Sequence, residues 1–268
     1  MKAPLWLRDI GLLLARLTYL PLPKKWRSDD ARLPQTLRFL PLLGALSGCV
    51  IYGCMHLFLV MPLTGAAAVL IGVELLTGGA FLLRDVMRTA DGRGGSLCDP
   101  AHDMLSDEPI LDNEAELSAK ERRFDVGRAG LVWGLARTLA LYLIYLYLLR
   151  RPECGRQAVI AAAVSGRLLM CWLVYQFPAF PPARLHRGLS GRSFGGACLL
   201  ALILLVPLFP GFGPCLFAGF LIALMGVWLF ASYRVRFHVA LDDPCYGAAC
   251  AWAEILFLLA WLAVVRLL

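Results

Sequence analysis

The chain has 268 residues, of which 59% are hydrophobic and 17% charged, with a formal net charge of +7 and a mean hydropathy of +0.68. Water does not solvate a domain of that composition, and the apolar residues gather in runs of about 17–25, the length needed to cross about 30 Å of hydrocarbon at about 1.5 Å per residue. The basic excess lies beside those runs rather than along one soluble face, so it reads as membrane topology and contact with anionic lipid headgroups, not as nucleic-acid binding.

The fold class this predicts is all-α, a polytopic membrane helix bundle of about seven transmembrane spans, with residues 1–268 as a single integral membrane domain. The nine cysteines include no CxxC pair and lie mostly inside apolar runs, which argues against a structural zinc and against a disulfide framework.

In chain order, residues 1–38 form a cytoplasmic or interfacial N-terminal segment. No small-residue cleavage site follows its short apolar stretch. The part from Leu5 to Leu22 reads as an amphipathic helix in the interface, with Leu5, Leu12 and Tyr19 on one side and Arg8 and Arg16 snorkelling. The spans then follow at about 39–61, 62–83, 131–149, 157–175, 195–210, 215–232 and 248–266. The fifth is short and carries Pro207 and Pro210, which predicts a tilted, broken or partly re-entrant segment.

Lys2, Arg8, Arg16, Lys24, Lys25, Arg27, Arg32 and Arg38 all precede the first span, which places the N-terminus in the cytoplasm. Loops 84–130, 176–194 and 233–247 fall on the same side, and the first of these is acidic from about Arg93 to Glu121. Arg150, Arg151 and Arg156 fall on the opposite side and run against the bias.

The carboxylates at span ends carry the chemistry, because an ionised group held close to the membrane is costly without a partner or a purpose. Asp85 and Asp91 follow the second span, Asp125 precedes the third, Asp242 and Asp243 precede the seventh, and Glu254 lies in its first turns. The topology brings them to one membrane face. Carboxylates converging from several helices suit Mg²⁺, a hard ion that takes oxygen ligands and bridges to phosphate oxygens. Arg137 and Arg167 also stand at span depth and are weighed together with the acidic Glu74 and Glu254. They either pair internally and fix helix packing or offer a planar fork of donors to a phosphate. His56, His102, His186 and His238 lack metal-ligand spacing.

The turn Thr77-Gly78-Gly79, then Thr89-Ala90-Asp91-Gly92, then Asp243-Pro244-Cys245-Tyr246-Gly247-Ala248 with Glu254 resemble the cobalamin synthase family, the adenosylcobinamide-GDP ribazoletransferases. Leu20-Pro21-Leu22-Pro23 with Trp26, Phe39-Leu40-Pro41-Leu42-Leu43-Gly44, Gly127-Arg128-Ala129-Gly130, and Gly188-Leu189-Ser190 with Phe194 resemble further family landmarks in the same order. The resemblance covers nearly the whole chain. It implies a membrane transferase that joins adenosylcobinamide-GDP to α-ribazole or α-ribazole 5′-phosphate with release of GMP, using Mg²⁺, in the last steps of cobalamin biosynthesis. It also implies a multi-pass protein of a bacterial inner membrane or an archaeal cell membrane. Two other readings stand beside it: a catalytically weakened relative acting as a membrane partner of corrinoid-pathway enzymes, and a small transporter.

On this reading Asp91, Asp243 and Glu254 are catalytic, and Asp85, Asp91, Asp125, Asp243 and Glu254 hold the metal. The substrate-binding set is Arg84, Arg88, Arg137 and Arg167. This chain also departs from the family pattern. Counting back from Asp91-Gly92, Arg84 and Arg88 stand where the family carries carboxylates, and Asp85 matches only after a one-residue shift, which turns a helix by about 100°. The family histidine of this stretch is replaced by Phe81 or Leu82, and the first of two C-terminal glutamates by Ala251. Arg84, Arg88 and Asp91 share a helix face that is cationic on balance.

Overall fold

The computed structural model describes residues 9–11, 13, 36–91, 127–151, 155–177, 189–238, 241 and 243–267, and among these it is all helical, without a strand. Helix α1 is Leu40–Leu57, entered by a 3-10 turn at Leu37–Phe39 and started by Pro41, which needs no N–H donor in a first turn. A 3-10 turn at Phe58–Val60 and extended Met61 before Pro62 end it. Helix α2 is Leu63–Glu74 and α3 is Ala80–Ala90. Between them lies a π-turn, Leu75–Gly79, in which Gly78 takes φ 131°, a left-handed backbone that glycine adopts without steric cost. The remaining helices are α4 Arg128–Arg150, α5 Ala158–Gln176, α6 Gly191–Leu205, α7 Phe209–His238 and α8 Asp243–Leu267.

Helix α5 is the hub, with 78% of its most apolar window buried. It allows close approach from both sides. A Cβ at Gly48 of α1 would stand 2.7 Å from the Ile160 Cα, and one at Gly44 would strike the Ala163 backbone, so the Gly44-x-x-x-Gly48 stripe lets two backbones touch. On the other side Gly166 of α5 leaves just enough room for Glu254 of α8. Tyr246 of α8 donates its hydroxyl to the Phe177 carbonyl at 2.8 Å, while Gly155 lies under Trp261; α5 and α8 are therefore antiparallel.

Among the described residues, six helices are long and apolar enough to cross a membrane: Leu37–Leu57, Leu63–Ala90, Arg128–Arg150, Ala158–Gln176, Gly191–Arg236 and Pro244–Leu267. The fifth of these, 46 residues long, consists of two legs. Phe194 stacks on Tyr175 at 5.0 Å, and Ala201 packs with Val164 while Leu205 reaches the neighbourhood of Ile160, so α6 runs antiparallel to α5. Phe212 meets Trp261 at 5.1 Å, and Gly219 and Gly226 accommodate Phe257 and Leu256, so α7 runs antiparallel to α8. The chain turns back between them at Val206–Leu208 and Phe212, which leaves helical geometry at φ −137°. The expected spans at about 195–210 and 215–232 are these two legs. The second span does not stop near residue 83 but continues past its π-turn to Ala90.

The starts of α1, α4, α6 and α8 and the ends of α3, α5 and α7 thus share one end of the bundle. Arg150 and Arg151 lie at the other. The expected interfacial helix over Leu5–Leu22 falls mostly outside the described residues; of it, Leu13 is buried in the core and Asp9 lies 3.5 Å from Arg38.

Candidate functional site

Two carboxylates of α3 are set against the N-termini of two other helices. Asp91, just past the last turn of α3, accepts the Gly127 N–H on Oδ2 and the Gly130 N–H on Oδ1, both at 2.7 Å. These are donors that the start of α4 leaves without a helical partner, and the positive end of the helix dipole favours the charge. Both glycines are required by the contact: a Cβ at Gly127 would stand 2.5 Å from Oδ1, and one at Gly130 would overlap Oδ2. Asp85, one and a half turns earlier and 2% exposed, lies on the backbone of Gly247 in the first turns of α8, where a Cβ would overlap its Oδ2.

Around these carboxylates the face is basic. Arg84 Nε lies 3.9 Å from Asp85 Oδ1, with its guanidinium 5.2 Å above the Phe81 ring. That Nε is buried and makes no hydrogen bond. Arg88 stands one turn further on, half-buried. Asp243 is the first residue of α8, one turn before Gly247, and its side chain lies outside the described part; Asp125 lies wholly outside it.

The other charged candidates are deeper in the bundle and meet one another. Arg137 of α4, 1% exposed, donates through Nη2 to Glu74 Oε1 at 2.5 Å, and the Tyr145 hydroxyl donates to Oε2 at 3.4 Å. Arg167 of α5 donates through Nη1 to Glu254 Oε1 and, at 3.2 Å, to Cys250 Sγ. Ser47, Thr77, Glu74, Tyr145, Arg167 and Glu254 border one small cavity between α1, α2, α4, α5 and α8. It has room for water and none for a nucleotide. Glu254 lies seven residues past Gly247 on the same face of α8, about 10 Å deeper. It is therefore apart from Asp85 and Asp91, although sequence placed it with them. Arg137 and Arg167 have their charge met inside the protein. Sequence reasoning noted Glu74 but missed Tyr145 and Cys250, which lie in apolar runs and gain their role only from neighbours on other helices.

No group of three His, Cys, Asp or Glu that could hold a metal occurs among the described residues. Mg²⁺ is nonetheless commonly held by one or two carboxylates together with substrate phosphates. Asp91 spends one acceptor site of each oxygen on N–H donors and keeps others. The donor set fits a metal that enters with a phosphorylated substrate.

A sequence model described as cobalamin-5-phosphate synthase matches residues 9–106 and 122–262. The adenosylcobinamide-GDP ribazoletransferase of Vibrio vulnificus (strain YJ016) is 25% identical over 253 residues, covering 92% of this chain and 92% of that protein. Those of Roseiflexus sp. (strain RS-1) and Deinococcus radiodurans are each 29% identical, covering 93% and 94% of this chain and 87% and 84% of their own lengths. No solved structure matches the chain.

Proposed function

The chain belongs to the cobalamin-5-phosphate synthase family, and from that premise we propose that it is a membrane adenosylcobinamide-GDP ribazoletransferase acting at the junction of α3, α4 and α8. The observation that carries the site is the seating of Asp85 and Asp91 on the first turns of α8 and α4, with Arg84 and Arg88 on the same short helix. One short helix thus carries both signs of charge to one end of the bundle, and the first turns of α4 and α8 seat its two carboxylates. A diphosphate ester needs both: cationic forks for its oxygens, and carboxylates for a metal and for an attacking hydroxyl.

The reaction is a phosphoryl transfer. A hydroxyl of α-ribazole, or of its 5′-phosphate, attacks the cobinamide-side phosphorus; the bond from that phosphorus to the bridging oxygen breaks and GMP leaves, while the hydroxyl proton passes to a carboxylate or to water. Bound Mg²⁺ would neutralise the diphosphate and the leaving GMP. Asp91 or Asp85 would hold it, with Asp243 and Asp125 the nearest further candidates in the chain. Arg84 and Arg88 take phosphate oxygens and orient the diphosphate. The site faces the cytoplasm, since the basic N-terminal segment leads into the same end of the bundle.

Membranes containing the protein should convert adenosylcobinamide-GDP and α-ribazole 5′-phosphate to a cobalamin product in a Mg²⁺-dependent way. Product no greater than in empty membranes, where a relative is active, favours the second reading, a weakened relative partnering corrinoid-pathway enzymes. The arginine beside Asp85 is the observation behind that reading, because it competes with a cation for the carboxylate. The transporter reading loses its support, since Glu74, Arg137, Arg167 and Glu254 pair with one another.

A further inference from the structure

Glu74 is the last residue of α2, and its side chain reaches across the π-turn that follows. Gly79, the last residue of the turn, lies so close that a Cβ there would stand 2.8 Å from the Glu74 carbonyl oxygen and 2.9 Å from its Oε1. The Thr77 hydroxyl donates to the same carbonyl at 3.2 Å. Lying over the wide turn, the carboxylate is gripped from α4 by Arg137 at 2.5 Å and Tyr145 at 3.4 Å. At the far end of α3, Asp91 fastens the chain to α4 a second time. The stretch from Glu74 to Asp91 is thus tied to one helix at both ends, and between the ties come the left-handed Gly78 and then Asp85, seated on α8.

A π-turn with one left-handed residue lets two half-helices change their angle at little cost. The grip on Glu74 removes that freedom just where the lever to Asp85 begins. Stability alone is a poor account of the pair, because a buried ion pair is commonly no better than two apolar side chains. Here Arg137 also keeps a buried Nε without a hydrogen bond, a further cost. We infer that Glu74, Arg137 and Tyr145 are positioning residues: they set the angle of α3, and with it the placement of Asp85, Arg84 and Arg88 against α8, without touching substrate. The inference rests on the reading of the α3, α4 and α8 junction as the substrate site.

The test replaces both charges at once, Glu74→Met with Arg137→Met, so that no buried charge is left unpaired. Hydrogen exchange, thermal unfolding and kinetics are read in lipid nanodiscs beside Tyr145→Phe, which removes a single hydroxyl. The expected result is an unfolding midpoint near that of the native chain, faster exchange confined to residues 80–91, and kcat lower by roughly 10²-fold, the scale of a small misplacement of reacting groups. Tyr145→Phe shows the same exchange pattern to a smaller degree. Exchange unchanged over 80–91 in both variants, or accelerated evenly over α4, α5 and α8, overturns the proposal and leaves the pair a packing element. Should the native chain turn over no substrate, the transferase reading fails while the exchange data still decide the positioning role. Should the double variant fail to insert, Tyr145→Phe decides it on the same exchange pattern.

Discussion

The carboxylate of Asp85 rests on the backbone of Gly247, so closely that the smallest side chain there would overlap its Oδ2. This contact ties the end of the second span to the start of the last one. It makes Gly247 a residue on which the site depends without any chemistry of its own. Gly247→Ala should push α3 and α8 apart and weaken binding of adenosylcobinamide-GDP by about tenfold or more, a 1.4 kcal/mol effect. Gly53→Ala, at a position with open space around it, is the control and should bind normally. Equal binding by both variants removes the α3 and α8 junction from the substrate site.

Asp91 is both a helix cap and a candidate metal ligand, and two substitutions separate the roles. Asp91→Ala should lose about 1 kcal/mol or more of stability through the orphaned N–H groups of α4. Asp91→Asn keeps one good acceptor, so it should unfold closer to the native midpoint yet show no turnover. Full turnover by the asparagine variant would mark Asp91 as a cap alone.

The cationic face should decide between metal and phosphate. Arg84→Asp with Arg88→Asp is expected to raise Mg²⁺ affinity and to weaken nucleotide binding, because bare dications are repelled by the arginines that attract phosphate oxygens. Titrations of Mg²⁺ and GDP against native and variant protein measure both. Unchanged values for both in inserted protein would leave the arginines as markers of the membrane boundary.

The Arg167 and Glu254 pair should behave as a buried pair does. Breaking it from one side, by Arg167→Met, leaves a carboxylate without its cation and should cost about 3–5 kcal/mol. Adding Glu254→Met should restore much of that stability. Thermal unfolding in detergent reads both, and a single variant as stable as the native chain would show that the pair is hydrated through the adjoining cavity.

A reporter fused after Asp91 should read cytoplasmic, and one fused after Arg151 should read external. The reverse pattern would invert the bundle and move the proposed site to the other face.

The helices were legible in the sequence because each apolar run is a local property: the expected spans at about 131–149 and 157–175 are Arg128–Arg150 and Ala158–Gln176, with shifts of a few residues at their ends. The end of the second span was less so. Arg84, Asp85 and Arg88 read as loop by hydropathy, but Gly78 allows the helix to turn and continue, and Asp85 is then buried against α8 rather than left in water. The glycines that resemble family landmarks, Gly127, Gly130 and Gly247, were visible as letters, and their reason became visible only as contacts with Asp91 and Asp85.

Composition and the order of the runs determined by themselves that this chain is a helical membrane bundle, and that the end of its second span shares one end of the bundle with the starts of its third and last, since span length and alternation of sides follow from local hydropathy. Which charge meets which was decided by the tertiary structure alone. Glu74 and Arg137 are 63 residues apart, and Arg167 and Glu254 are 87 apart, separations over which no periodicity carries information. A charge at membrane depth must find a partner, but the sequence names only the need; the packing of α2 on α4 and of α5 on α8 supplies the partner.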